Sequence, residues 1–215
     1  MHRTSEKGDD FKFISGRVCL DFVNTLRGRS RLGQNELVHT YEDLIRWSVA
    51  AGDVKDEEAK ALITLAQSDE VGSAGVVRRA RRLREALFEV FAAVTRSETP
   101  STTDLGTVNG ELERISPHLC CLRWTDSTPI LGWSTSLTLD RPLWQVLRSA
   151  TELLVSPARN RVKICEHETC TWLFVDETRN HSRRWCDMSV CGNRAKARRF
   201  RSRSARRAGG RAGAV

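Results

Sequence analysis

The sequence predicts an α+β protein that is mainly α: a helical domain with a small antiparallel hairpin, then a small cysteine-rich module ending in a basic helix. Apolar residues recur at helical spacing through most of residues 13–156. Four of the seven cysteines form two matched pairs near the carboxyl end, and each pair has four residues between its members. Charge divides at the same place, because residues 1–160 carry a net −1 and residues 161–215 a net +9. The chain therefore has two parts with different chemistry.

The amino-terminal stretch predicts a disordered segment, a helix and a polar loop. Residues 1–12 are polar, and we expect them to be disordered. Residues 17–27 place Val18, Phe22 and other apolar side chains on one helical face, although a strand is the alternative for the first part. The glycine-containing loop 27–34 has three arginines, which either bind an anionic ligand or are simply solvated.

Five further helices and one hairpin are predicted before residue 156. Thr40 with Asp43 resembles a capping box at the first of these helices, and Asp53 is a candidate cap for the second. Gly72 and Gly75 are expected to break the chain before the third. The predicted helices start at Thr40 and cover 55–67, 76–96, 103–115 and 142–155, and the predicted hairpin strands cover 119–124 and 130–139.

The two cysteine pairs are interpreted as ligands of one structural Zn²⁺. Structural zinc takes four tetrahedral ligands, and ligand pairs two to four residues apart are typical of it. The four proposed ligands are Cys165, Cys170, Cys186 and Cys191. The alternatives are two disulfides, which belong to secreted chains, or inert buried thiols. His167 and His181 could each replace a thiolate, but with four cysteines available we interpret them as surface residues.

The fifteen residues between the pairs predict a hairpin, which would make the module treble-clef-like. Residues 171–176 are aromatic and β-branched as in a strand, and residues 183–186 can return as the second strand after a polar turn. So small a module buries little apolar surface, and the metal must therefore stabilise it. Trp172, Phe174 and Trp185 are expected to form its core rather than to stack on nucleic-acid bases.

A basic segment follows the last cysteine. Residues 192–215 contain nine basic residues and no acidic one, whereas a solvated helix normally mixes both signs. We predict a helix from residue 194 to about residue 204, with Asn193 as its cap. Ala197 and Phe200 are expected to dock this helix on the zinc module.

The concentration of positive charge predicts a polyanionic partner. Duplex DNA is the favoured partner, RNA is the alternative, and an acidic protein or a mere solubility tail is the blander interpretation. The candidate nucleic-acid contacts are Arg183, Arg184, Arg194, Lys196, Arg198, Arg199, Arg201 and Arg203. Arg183 and Arg184 can also offset the negative charge of a four-thiolate zinc centre. Residues 204–215 are predicted to be a disordered basic tail.

The motifs of the cysteine-rich part resemble the CGNR zinc-finger family over residues 161–203. They are the Cys-x4-Cys pairs, Trp172-Leu173-Phe174-Val175-Asp176, Arg184-Trp185-Cys186 and Cys191-Gly192-Asn193-Arg194-Ala195-Lys196. Residues 19–26 are similar to the start of the ABATE domain that precedes this finger. The resemblance implies an ABATE-like domain over residues 13–156, a linker over residues 157–160, and a bacterial zinc-dependent DNA-binding regulator of stress-induced transcription.

Three functional hypotheses follow. In the first, the amino-terminal domain senses a small-molecule effector or forms a homodimer, and the zinc module binds DNA. In the second, the module binds RNA or nucleic acid in general. The third and least favoured is an enzyme with Asp21, Asn24 and Arg27 around a polar pocket, although these residues could equally be caps and core hydrogen bonds. A four-thiolate zinc has no open position for water, which argues against catalysis at the metal.

The composition predicts a cytoplasmic protein without a membrane partner. No stretch is long and apolar enough to span a bilayer, and residues 1–6 lack the apolar part of a signal peptide. Cysteines that bind a metal must stay reduced, and the cytoplasm keeps thiols reduced. Cys19, Cys120 and Cys121 lie outside the zinc pattern, and the adjacent pair suggests either a redox sensor or, as we favour, ordinary strand positions.

Overall fold

The computed structural model describes residues 11–29, 34–125 and 128–209, apart from the side chains of residues 119–131 and 202–209. The helices are α1 (Val18–Val23), α2 (Tyr41–Ala50), α3 (Asp56–Ser68), α4 (Glu70–Thr95), α5 (Thr102–Ile115), α6 (Arg141–Val155) and α7 (Asn193–Gly209). The strands are β1 (Leu26–Arg27), β2 (Asn35–Glu36), β3 (Leu119–Thr125), β4 (Thr128–Trp133), β5 (Val162–Ile164) and β6 (Leu173–Val175). They form three two-stranded antiparallel pairs, β1–β2, β3–β4 and β5–β6. The predicted fold class, mainly α with small hairpins, is confirmed.

The hydrophobic core is built around α4, the longest helix. It packs against α1, α2, α3 and α5, and its Leu83, Leu87 and Phe91 are fully buried. The short α1 lies against both α4 and α6, so that residues 19–23 are all buried. Because a large apolar side chain contributes about 1.5–3 kcal/mol when fully buried, this shared core holds the helices together. Within the described ranges, no helix combines the length and apolarity needed to cross a membrane.

Two predictions about helix starts differ from the structure. The Thr40–Asp43 capping box is present at α2, as expected. Asp53, however, does not cap α3, because its carboxylate accepts from the Arg141 guanidinium at 3.0 Å. Gly72 and Gly75 do not break the chain either: both lie inside α4, which begins where the Asp69 carboxylate accepts from the Gly72 amide at 2.8 Å. A side chain at position 72 would collide with that carboxylate, so the glycine permits the cap.

The arginines of α4 mostly connect elements of the helical domain to one another. Arg84 is buried and donates two hydrogen bonds of 2.6 Å to Glu36 on β2. Arg79 donates to Glu111 on α5 at 2.6 Å. Arg78, by contrast, is exposed. The acidic partners come from distant parts of the chain, on β2 and α5. The periodicity of the sequence within α4 therefore cannot predict these ion pairs.

The zinc-module hairpin differs from the predicted one. β6 pairs with β5, the segment before the first cysteine pair, and residues 183–186 form no strand. The outer edge of β6 is already occupied, because the Val175 amide donates to the Ser15 carbonyl at 2.8 Å and the Asn24 side chain binds Leu173. No free edge remains for a returning strand.

The predicted linker is an ordered part of the core. Residues 157–161 form a 3₁₀ turn whose Ala158 is buried. Val162, Leu173 and Val175 belong to the same hydrophobic core as α4 and α6. The module is therefore anchored on the helical domain through its own hairpin.

Candidate metal centre and basic helix

Four cysteine side chains meet at the end of the β5–β6 hairpin, as predicted. One ligand atom from each of Cys165, Cys170, Cys186 and Cys191 lies within 4.8 Å of the others. The Cys170 and Cys186 sulfurs are 3.6 Å apart, and those of Cys186 and Cys191 are 3.7 Å apart. A tetrahedron with Zn–S bonds of about 2.3 Å has edges of about 3.8 Å. Number, chemistry and spacing of the donors therefore fit one tetrahedral zinc ion.

Local main-chain hydrogen bonds hold three of the four cysteines in place. The Cys165 amide donates to the Trp172 carbonyl at 2.9 Å, which extends the hairpin to the first ligand. The Cys170 amide donates to His167 at 2.8 Å and closes the turn between the first pair. The Cys191 amide donates to Asp187 at 2.9 Å, within the π-helical turn of residues 188–192.

The ionisation of the thiols reflects their crowding. Hydrogen bonds from Cys170 and Cys186 lower the pKa of Cys165 to about 2. The hydrogen bond to Cys165 in turn raises the pKa of Cys170 to about 12. One sulfur can therefore be a thiolate that accepts hydrogen bonds from neighbouring thiols. All four cysteines would ionise together only with a bound cation to balance their charge.

The alternative ligands and pairings find no support in the geometry. No disulfide joins these cysteines, and the 3.6 Å between the Cys170 and Cys186 sulfurs is far beyond the roughly 2.05 Å of an S–S bond. His167 is hydrogen-bonded with Thr169, and the His181 ring lies 3.3 Å from the Asp176 carbonyl. Neither histidine belongs to the four-residue donor group.

The module has a small aromatic core of its own, as expected. Trp172 and Phe174 are buried together with the cysteines, and Trp185 packs against them while partly exposed. The Arg183 guanidinium lies 4.5 Å from the Phe174 ring centroid and donates to the main-chain carbonyls of Trp185 and Cys186. Arg183 thus serves the module's interior, and we leave it out of the proposed nucleic-acid surface.

Asp176 organises the loop before the second cysteine pair, a role that the sequence analysis missed. Its fully buried carboxylate accepts from Lys163 and Thr178 at 2.6 Å and from the Arg183 amide at 2.9 Å. Burial alone would raise its pKa, but these hydrogen bonds outweigh burial and hold the pKa well below its usual range. An aspartate directly after an apolar strand was the only sequence signal.

Within the described residues, two of the three proposed pocket residues, Asp21 and Asn24, make hydrogen bonds to the main chain. Asp21 accepts from the amides of Ile14 and Ser15 at 3.1 and 3.0 Å. Asn24 donates to the Leu173 carbonyl at 2.9 Å and accepts from its amide at 3.0 Å. Both side chains therefore hold the chain together, which was the alternative interpretation. Arg27, the third of these residues, lines a cavity of the described part of the chain, and its guanidinium lies 5.9 Å from the Trp172 ring centroid.

The basic helix begins and ends differently from the prediction. Asp187 caps the turn that leads into α7, accepting from the Ser189 amide at 2.8 Å, whereas Asn193 donates backwards to the Ser189 carbonyl. The helix continues to Gly209 and so includes the first part of the expected disordered tail. Ala197 and Phe200 are exposed, the latter by 73%, so the expected docking is wrong. The helix instead contacts the module through Arg198, which is paired with Glu168, and Arg199, whose guanidinium lies 5.8 Å from the Trp185 ring centroid.

The candidate nucleic-acid residues fall into two groups. Arg184 is paired with Glu166 at 2.6 Å and Arg198 with Glu168, both acids lying in the loop of the first cysteine pair. The second group consists of exposed residues on α7, a helix that contains no acidic residue. Its members with described side chains are Arg194, Lys196, Arg199 and Arg201. The side chain of Arg203, the tail beyond residue 209, residues 1–10 and the side chains of Cys120 and Cys121 lie outside the described part.

Comparisons with known families divide the chain at the same place. Residues 16–157 match the ABATE model, described as "Putative stress-induced transcription regulator". Residues 161–204 match the CGNR zinc finger. A search of curated proteins found no match. Neither family description is that of an enzyme.

Proposed function

Because the chain belongs to the ABATE family and carries a CGNR zinc finger, we propose that it is a zinc-dependent DNA-binding transcription regulator. The observation that carries this proposal is the exposure of α7. Between Asn193 and Arg201 the helix has five cationic side chains, all exposed, and no acidic one. A helix of one charge sign that protrudes from a fixed module is suited to the phosphates that border a DNA groove.

Bound zinc would fix the orientation of α7 relative to the rest of the module. The metal would join the loop of the first cysteine pair to the turn that leads into α7, so that the helix projects from the rigid β5–β6 hairpin. The hairpin in turn is held by the core of the helical domain. The domain and the helix should therefore move as one body, which lets a change in the domain alter how α7 meets DNA.

The exposed cations predict the salt dependence of binding. Arg194, Lys196, Arg199 and Arg201 can each neutralise one phosphate without losing an ion pair. Arg184 and Arg198 must first exchange Glu166 and Glu168 for phosphates, so they should contribute less. Four neutralised phosphates give a slope of about −4 in a plot of log affinity against log salt.

The test is selection of random duplex DNA by zinc-loaded protein at near-physiological salt, followed by titration of the selected sequence. We expect an enriched sequence that is lost when zinc is chelated. The Arg199→Gln/Arg201→Gln variant should lower the salt slope by about 1.8. The matched control is Arg78→Gln/Arg82→Gln, which removes two exposed arginines from α4 and should leave the slope unchanged.

Two results would contradict the proposal. Equal affinities of the α7 variant and wild type, at equal zinc content, would remove α7 from the interface. Stronger binding to structured RNA than to the selected duplex, in direct competition, would favour the RNA-binding alternative, because the same charges serve either polymer.

We also propose that the helical domain responds to a small-molecule effector. A groove of about 490 Å³ lies between α2, α3 and α4, with Tyr41, Ala66, Ser73, Val77 and Arg78 among its lining residues. Its volume is in the range of small-molecule sites. An effector that raises the melting temperature of wild type but not of a groove-filling Ser73→Phe variant would support this role.

We propose in addition that the chain binds DNA as a homodimer. Inverted symmetry in the selected DNA, together with dimers in sedimentation, would support this assembly.

A further inference from the structure

The first part of α7 contacts the metal module along one side of the helix. Arg198 is paired with Glu168, and the Arg199 guanidinium lies 5.8 Å from the Trp185 ring centroid. Ala195, which lies between these two arginines around the helix axis, is half-buried. Because successive residues of an α-helix are about 100° apart, these three positions span about 100° of the helix surface. They define the side of α7 that faces the module.

Phe200 lies on nearly the opposite side of α7. The same spacing places it about 150° from the middle of the module-facing side. It is 73% exposed, and Ala197, one turn before it, is exposed as well. A phenylalanine ring gains free energy when it leaves water, so this outer face presents an apolar centre to a partner. A single exposed apolar side chain is ordinary on a protein surface, and the charges beside it are what distinguish this one.

Cationic side chains lie on both sides of this apolar centre. Around the helix axis, Lys196 is about 40° to one side of Phe200 and Arg201 about 100° to the other. Arg194 lies two turns before Arg201, on the same side. All three cations are exposed, and α7 contains no acidic residue. The outer face therefore has an apolar centre with a positive border on each side.

We propose that α7 enters the major groove of duplex DNA with this outer face toward the bases, and that Phe200 contacts the C5-methyl group of a thymine. This inference rests on the proposed function and adds which bases the helix reads. The major groove is about 12 Å wide and admits an α-helix, whereas the minor groove is only about 6 Å wide. Phosphates border the groove on both sides, where Lys196 and Arg201 would bind them. The thymine methyl group is the apolar group in that groove, and apolar side chains such as phenylalanine and alanine contact it.

The same contact would make the protein prefer DNA to RNA. RNA carries uracil, which lacks this methyl group, and the major groove of an A-form duplex is too deep and narrow for side chains to read. The arginines of α7 cannot supply this preference, because their phosphate contacts carry no base information. Phe200 would therefore discriminate between the two polymers.

The experiment uses the full zinc-loaded chain and the duplex that it selects. Each thymine in turn is replaced by uracil, which removes one methyl group and leaves the base pairing unchanged. Wild type should lose about fourfold in affinity at one or two positions, since a buried methyl group contributes about that factor. Phe200→Ala should bind the thymine duplex more weakly and should lose no further affinity at one of these positions.

The matched control is Val71→Ala, which shortens an apolar side chain of α4 that is 82% exposed and should keep the wild-type losses. Phe200→Leu retains an apolar side chain at the site and should keep most of the loss. Zinc content and melting temperature are measured for every variant. Because Phe200 is exposed, its replacement should not unfold the protein.

Three results would overturn the inference. They are equal affinities of wild type for the thymine duplex and every uracil duplex, an enriched sequence that contains no thymine, and equal losses on uracil replacement in Phe200→Ala and wild type. The proposed function would still stand in each case if Arg199→Gln/Arg201→Gln lowered the salt slope. A wild type that binds no duplex, or binds structured RNA more tightly than the selected duplex, would contradict the proposed function and this inference with it.

Discussion

Asn24 joins the helical domain to the metal module, and its removal should destabilise the whole chain. The side chain is only 2% exposed, and its amide forms both a donor and an acceptor bond with the Leu173 main chain. Leu173 is fully buried and presents these two groups on the edge of β6 that faces away from β5. Asn24→Ala would therefore leave a buried N–H and a buried C=O without this partner.

The magnitude follows from those two groups. A buried unsatisfied polar group costs about 1–3 kcal/mol, so the loss of both bonds should lower the free energy of unfolding by roughly 2–6 kcal/mol. For a chain of this size, 1 kcal/mol corresponds to about 2–4 °C in melting temperature. A loss of about 10 °C is thus expected, and the variant should release zinc to a chelator faster than wild type.

The assay is urea unfolding of zinc-loaded protein, followed by circular dichroism and by tryptophan fluorescence. Asn109→Ala is the control, because Asn109 is exposed on α5 and its replacement should change stability by no more than about 0.5 kcal/mol. A loss below about 1 kcal/mol for Asn24→Ala would refute the role of this contact. A loss of zinc without any change in helix unfolding would show that the two parts are not coupled.

Three further predictions concern buried groups of the helical domain. Burial raises the pKa of Asp21 to about 6, above its ordinary value of 3.8, so wild type should lose stability as pH rises from about 4 to 6 and then stay level. Asp21→Asn should lack this fall, so its stability relative to wild type should increase over that window in urea unfolding; parallel pH curves would contradict the assignment. Arg84→Met leaves the Glu36 carboxylate without its buried partner and should cost about 3–5 kcal/mol, whereas exposed Arg82→Met should cost little. Burial also raises the pKa of Cys19 to about 12, so this thiol should resist iodoacetamide at pH 8 until the protein unfolds, as mass spectrometry of the alkylated peptide will show.

The repeating elements could be predicted because their signals are local. The capping box of Thr40 and Asp43, the apolar face of α6 and the two cysteine pairs each depend on residues close in sequence. Such patterns follow from the 3.6-residue helical period and from the spacing of metal ligands, and the structure contains each of them.

The errors came from residues whose partners are distant in sequence. Asp53 was expected to cap the helix beside it, but Arg141 binds its carboxylate. Asn24 was a candidate for a polar pocket or for a core hydrogen bond, and its actual partner lies in a strand 149 residues away. Phe200 was expected to dock on the zinc module, but it is 73% exposed, and arginines of the same helix make the contacts with the module instead.

The sequence by itself determined the fold class, the division of charge and the four candidate metal ligands, because composition, periodicity and ligand spacing are properties of short stretches. Only the tertiary structure decided which strand β6 pairs with, that the module shares the core of the helical domain, and that Arg198 and Arg199 contact the module while Phe200 is exposed. These features depend on which surfaces meet when the chain folds. Free strand edges, buried polar groups and surface charges acquire their partners only then.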